Sequence, residues 1–245
     1  NLKKINFSKL NDENKLNYQL YEFGINREID LRNFPTYFLR INQRGGIQSF
    51  YETGNRLVYS SIQDYYDWLS RLNIFSENIN NFIEINKEGL LKGITQPNII
   101  TESVIVQIDA IIDSEIDKNP YMKVFIEADS NLMSKTEKDE LVIKAKEIVN
   151  NKIIPAYINL NNFLKNQYLP NSRNSIGISD VPGGKEYYEY LAKFYTTTDL
   201  TPDQIHEIGL DEIKRIRSEM EAIIKQVNWD GDFNSFLNYL RTSPR

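Results

Sequence analysis

Apolar residues recur at helical spacing along most of this chain. Leu16, Leu20 and Phe23 stand four and three apart after the polar run Asn11-Asp12-Glu13, which marks one face of a helix and its entry. Segment 34–59 breaks the rhythm. Pro35, Gly45, Gly46 and Gly54 punctuate its aromatic residues, so it reads as an irregular connection with short elements. Ser61-Ile-Gln-Asp64 fits a helix start, with Ser61 as cap and Asp64 reaching back to the first free amides. Tyr65, Trp68, Leu69 and Leu72 follow as its apolar face. A helix entered after Ser76 turns Ile79, Phe82 and Ile83 inward. Gly93 lies near its end, and Pro97 lies where a helix commonly cannot continue. Thr101 is expected to open the next helix, with Val104, Ile108, Ile111 and Ile112 on one side.

Ser134-Lys-Thr-Glu137 is again cap-like, and the helical pattern then runs through Leu141, Ala145, Ile148 and Tyr157 to Tyr168. Pro155 interrupts it. An interior proline removes one hydrogen bond and costs about 3 kcal/mol, so a kink or break is expected near Ile153. Leu169-Pro170 ends the segment, and 170–184 reads as a loop. Thr201-Pro202-Asp203-Gln204 is the sharpest boundary: Thr201 can cap, Pro202 suits the first helical position, and Gln204 can close a capping box. Ile213, Ile216, Met220, Ile223 and Val227 then recur at spacings of three and four. Trp229-Asp-Gly231 ends that helix, and Asp232 caps a last one carrying Phe233, Phe236, Leu237 and Leu240. The best strand candidate is 121–127. The pattern predicts an all-α, multi-helix array spanning 1–245 as one helical region. Its N-terminal helices, with the irregular 34–59 connection, occupy 1–133; a kinked long helix and the later helices occupy 134–245.

Composition narrows the chemistry. A hydrophobic fraction of 40% suits a packed protein and is too high for a disordered one. The net charge of -5, with no basic block or stripe, argues against a nucleic-acid partner. The chain has no cysteine, which removes disulfides, thiol catalysis and cysteine-ligated zinc. No run of about 18 apolar residues exists to span a membrane, and no basic stretch followed by an apolar one opens the chain. It begins on Asn1, so a processed protein or a piece of a longer one is expected. It is rich in Asn and Ile, and Asn6-Phe7-Ser8 has the form of a glycosylation sequon.

Five clusters could carry chemistry. The first is His206-Glu207, which contains the only histidine. A thermolysin-type zinc site needs His-Glu-x-x-His so that both imidazoles leave one helical face. Leu210 holds the second position, so a two-histidine site cannot form from this chain. Gly183-Gly184-Lys185 resembles the end of a phosphate loop, but Ser179 and Glu186 stand where that loop needs a glycine and a hydroxyl. Asp230-Gly-Asp232 resembles part of a calcium loop without the later ligands, and reads as a turn and cap. Asp203, Glu207, Asp211 and Glu212 crowd the front of one helix, where acids complement the dipole. Tyr187, Tyr188, Tyr190 and Tyr195 share a short helix and cannot all be buried on one stripe.

Several blocks in order resemble the bacterial domain-of-unknown-function family 885. They are Arg40-Ile-Asn-Gln43-Arg-Gly45-Gly46, Asp64-Tyr65-Tyr66-Asp67-Trp68-Leu69, Gly93-Ile-Thr-Gln96-Pro97, and Tyr168-Leu169-Pro170 with Arg173, Gly177 and Pro182-Gly183-Gly184. The most specific run passes from Thr196-Thr197-Thr198-Asp199-Leu200-Thr201-Pro202 to His206-Glu207-Ile208-Gly209-Leu210. The resemblance implies one part of a larger, bilobed helical protein, often exported and often a lipoprotein of the cell envelope. Its C-terminal part would carry a His-Glu-x-x-Pro-Gly-His-His segment similar to the zinc helix of gluzincin peptidases. None of those positions lies in this chain, so the resemblance places no metal ligand or catalytic residue here. Zinc is implied only for the C-terminal part, which would also be this segment's partner. The expectation is therefore the N-terminal and middle portion of a zinc-peptidase-like hydrolase, inactive alone and supplying one wall of a peptide-substrate cleft. Tyr195, Thr196, Thr197 and His206 are the candidate wall residues, because hydroxyls, free helix amides and an imidazole can bind a peptide carboxylate or carbonyl. The alternative is a non-catalytic, helical ligand- or peptide-binding protein of the envelope.

Overall fold

The computed structural model describes residues 2–243. These residues form helices and no strand; the nearest thing to a ladder is an isolated bridge between Pro97 and Arg173. The array is all-α. The chain divides into two compact units, Asn1–Lys185 and Glu186–Arg245.

In the first unit, side-chain caps set the helix starts. Asn11 accepts the Asn14 amide at 2.8 Å and opens α1 (Asp12–Leu31). The predicted apolar face of α1 is not buried, however: Leu16, Leu20 and Phe23 are each more than half exposed. Spacing and capping are local and suffice to form the helix, whereas burial needs a neighbour packed along the whole face, and the described residues leave that face open. The 34–59 stretch contributes more than a connection. It holds 3-10 turns at Thr36–Phe38 and Ile47–Ser49 and a short helix, α2 (Tyr51–Arg56), and it buries Phe38, Ile41 and Gln48. Gly54 is required there, since a Cβ would stand 2.5 Å from the Trp68 ring.

The carboxylate of Asp64 accepts the Ser60 and Ser61 amides, each at 2.8 Å, and opens α3 (Ile62–Asn73). That helix buries Tyr65, Trp68, Leu69 and Leu72, as its pattern predicts. Next comes α4 (Phe75–Leu91), which starts one residue before Ser76 because Phe75 itself belongs to the core. Gly93, at φ 68°, closes it: Ile94 N donates to Gly89 O at 2.9 Å and Gly93 N to Leu90 O at 3.1 Å, the paired bonds of a Schellman end. Then α5 (Asn98–Ile112) begins three residues ahead of the expected Thr101 start. Thr101 is buried within it and donates its hydroxyl to Pro97 O at 3.3 Å, a core role rather than a cap. The strand candidate at 121–127 is a turn leading into α6 (Lys123–Ile126), with Tyr121, Met122 and Phe125 wholly buried.

The helix that starts at Ser134 is disturbed near Ile153, where a kink or break is expected, but by a π turn rather than a break. It runs from α7 (Lys135–Ile148) through a π turn (Val149–Ile153) into α8 (Ile154–Phe163), then through a second π turn (Leu164–Tyr168) into a 3-10 turn (Leu169–Asn171). Each proline, Pro155 and Pro170, stands two residues past a π turn. Ile154 N reaches back five residues to Val149 O, and this wider winding accommodates the missing Pro155 amide without a break. It also explains the burial pattern. Leu141, Ala145, Val149, Ile153 and Tyr157 recur at strict intervals of four, and all are fully buried. On 3.6-residue winding that spacing drifts about 40° per step; the π turn takes up part of the drift and keeps the stripe on the core. Phe75, Tyr121 and Tyr157 meet at its centre with ring centroids 5.2–6.0 Å apart.

The second unit holds most of α9 (Gly184–Thr196), α10 (Pro202–Gln226) and α11 (Phe233–Thr242). The capping box that opens α10 forms as predicted: Thr201 Oγ1 accepts the Gln204 amide at 3.2 Å, and Gln204 Oε1 accepts the Thr201 amide at 2.9 Å. Asn228, at φ 51°, turns the chain after α10. Asp232 then accepts the Ser235 amide at 2.8 Å and opens α11, while Trp229 packs edge-to-face on Phe236 and tilted against Tyr239. Ile224 is buried on α10, but Ile213, Ile216, Ile223 and Val227 are exposed.

Candidate functional site

The four residues singled out from the sequence all fall in the second unit, between the end of α9 and the first turns of α10. Tyr195 is 77% exposed and packs edge-to-face on Phe194 at 5.0 Å. Thr196 donates to Ala192 O at 2.8 Å and meets the Thr198 hydroxyl at 2.9 Å, and Lys193 reaches over to Asp199 at 2.6 Å. Thr197 has φ 57°. The left-handed region is unfavourable for a β-branched residue, and strain of this kind tends to collect where a fold serves a function. Its hydroxyl donates to Thr196 O at 2.7 Å. His206 is exposed one turn into α10, with no hydrogen-bonded partner among the described residues.

Further phenols lie on the same helix, α9. Burial raises the Tyr187 hydroxyl above the ordinary tyrosine range, and the nearby Tyr195 and Tyr190 phenols add to the shift. Tyr188 and Tyr195 face outward, so the aromatic helix does present polar-tipped rings to its surroundings.

The other motifs resolve into architecture. A Cβ on Gly184 would collide with the Ile178 carbonyl, so this glycine serves close packing rather than phosphate. Asp232 is a cap, and Asp211 and Glu212 pair with Lys214 and Arg215 on their own helix. Among the described residues no three His, Cys, Asp or Glu side chains are grouped so as to hold a metal ion. A lone exposed His206, followed one turn later by Leu210, does not fit a zinc centre.

The family-like blocks of the first unit converge, although 70 to 80 residues separate them. Arg173 donates Nε to Thr95 O at 2.9 Å and Nη1 to Ser175 O at 2.7 Å and Gly177 O at 2.5 Å. Asn98 N bonds Arg173 O at 2.9 Å, and Gln96 N bonds the Tyr168 hydroxyl at 2.9 Å. Burial pushes that hydroxyl up to about 12. This latch fixes the loop after the long helix to the start of α5. Helical periodicity cannot foresee it, because its bonds run between loops that are distant in sequence.

An all-helical protein with a latched loop and an exposed threonine turn is the class these features define. The chain belongs to the family described as bacterial protein of unknown function (DUF885), whose profile matches residues 1–245. Among solved structures it is similar to the crystal structure of the "putative lipoprotein" from Colwellia psychrerythraea, with a TM-score of 0.73 and 23% identity over 84% of this chain. That likeness bears on the fold. The chain spans 36% of the length of that protein. No curated protein matches it. No helix of the described residues is long and apolar enough to cross a membrane.

Proposed function

We propose that this chain is the N-terminal and middle portion of a zinc-peptidase-like hydrolase of the cell envelope. In this reading it supplies part of the substrate-cleft wall and leaves the metal chemistry to the C-terminal part of the protein. The family match over residues 1–245 supports the family-level part of this reading, and the hydrolase role rests on the resemblance of the ordered blocks. The neighbour described as a "putative lipoprotein", of which this chain matches 36%, is consistent with an envelope location and a longer whole.

Within the chain, the wall is assigned to Tyr195, Thr196, Thr197 and His206. The strained φ of Thr197 supports the assignment, as do the exposed hydroxyls beside it. A peptide carbonyl or carboxylate would be held by hydrogen bonds there, with no proton transfer asked of His206. The test is peptide hydrolysis by the protein including its C-terminal part, with Thr197→Ala and His206→Ala. A raised KM at little-changed kcat is expected of a binding wall. Wild-type kinetics in both variants would remove the assignment.

A further inference from the structure

A hollow of about 470 Å³ opens in the first unit between the 43–49 turn, α2 and α5. Its wall is an ordered chain of amides. Gln48 is only 2% exposed, and its Nε2 donates both to Asn42 O at 2.8 Å and to Gln107 Oε1 at 2.7 Å. Gln107 Nε2 donates in turn to Gln43 O at 2.9 Å. Both N–H groups of Gln48 are therefore committed, and its carbonyl end, Oε1, has no hydrogen-bond donor among the described residues. Gly46 keeps the turn open, since a Cβ there would collide with Gln48 Oε1.

The charges around the hollow are unequal in their commitments. Glu52 is paired with Arg56, and Lys118 with Glu115 at 2.7 Å. Arg44 bonds through its main-chain amide to Asn42 Oδ1 at 2.9 Å. Its guanidinium has no acid or carbonyl partner among the described residues. A guanidinium presents a planar fork suited to a carboxylate, and the Gln48 amide carbonyl, which lines the same hollow, suits an N–H donor. The Ser49 and Tyr51 side chains complete the rim.

We propose that this hollow binds a small ligand carrying a carboxylate and a neighbouring amide N–H, the chemistry of an N-acyl amino acid or of the last residue of a peptide. Arg44 takes the carboxylate, and Gln48 Oε1 takes the N–H. Gln107 positions Gln48 by accepting one of its amide protons. The proposal concerns a second site, in the other unit, and does not rest on peptide hydrolysis.

The test is calorimetric titration of the chain with N-acetyl-alanine, its methylamide, and N-acetyl-trialanine. The two acids are expected to bind and the methylamide to bind at least tenfold more weakly. Arg44→Ala is expected to weaken the acids at least tenfold. Arg44 is exposed, so that variant should keep its circular dichroism and melting temperature. Gln107→Ala should weaken both acids as well, by leaving Gln48 free to turn. Tighter binding of N-acetyl-alanine than of the tripeptide would mark a free small molecule as the ligand; the reverse order would mark a peptide end. Equal binding of acid and methylamide would overturn the proposal. So would unchanged affinity in Arg44→Ala, or no saturation by any probe up to about 10 mM, an affinity of less than about 3 kcal/mol.

Discussion

Tyr157 sits wholly buried at the centre of the first unit. Its hydroxyl donates to Ile47 O at 3.1 Å and receives the Tyr121 hydroxyl at 2.7 Å. Burial pushes both phenols well above the ordinary tyrosine range. Tyr157→Phe strands the Tyr121 donor and a main-chain carbonyl together, and should cost about 1–3 kcal/mol. Tyr121→Phe leaves the Ile47 carbonyl paired and frees only the Tyr51 main-chain amide, and should cost less. In urea unfolding the double variant should lose less than the sum of the two, because the second change removes the group that the first left unpaired. The capping carboxylates make a pH-dependent counterpart. Main-chain amides lower the Asp64, Glu137 and Asp232 carboxyls, each below its usual range. A lowered folded value means that the unfolded chain protonates first. Stability should therefore be full above about pH 5, begin to fall as the unfolded carboxyls protonate, and go on falling as pH drops through the folded values, as a urea series from pH 6 to pH 3 would show. These caps were legible in the sequence because donor and acceptor lie within three or four residues. The tyrosine pair was not, because its partners are 36 and 110 residues apart.

At the scale of elements, the long helix from α7 to Tyr168 shows where local reading stops. Pro155 announced a disturbance, and the four-residue spacing of Leu141, Ala145, Val149, Ile153 and Tyr157 carried its remedy, a π turn in place of a break. Thr101 shows the converse case. A threonine ahead of an apolar run fits a cap, yet the bridge between Pro97 and Arg173 starts α5 a turn earlier and sends that threonine into the core. The same bridge belongs to the Arg173 latch. Arg173→Ala removes three side-chain bonds to the Thr95, Ser175 and Gly177 carbonyls, and should expose the 172–181 loop. Limited proteolysis read by mass spectrometry should show faster cleavage there, with the helices still protected. Cleavage at the wild-type rate would mean that Asn98 and Tyr168 hold the loop without the arginine. Residues 195–206 were legible as a capped turn, but the left-handed Thr197 was not, since no sequence rule puts a β-branched residue at positive φ.

For the whole molecule, the all-α architecture followed from periodicity alone, while membership of the DUF885 family followed from ordered blocks that the fold partly gathers around Arg173. The hollow at Arg44 escaped the sequence reading, because Gln48 and Gln107 are 59 residues apart and neither belongs to a motif. In the proposed division of labour these residues would supply scaffold and binding surface, and metal chemistry would belong to the C-terminal part of the protein. That division is tested most directly by titrating zinc into residues 1–245 and counting bound metal by mass spectrometry. With a single exposed histidine and no cysteine, the account predicts substoichiometric zinc, removed by passage through a desalting column. One zinc retained per chain, and lost in His206→Ala, would contradict it.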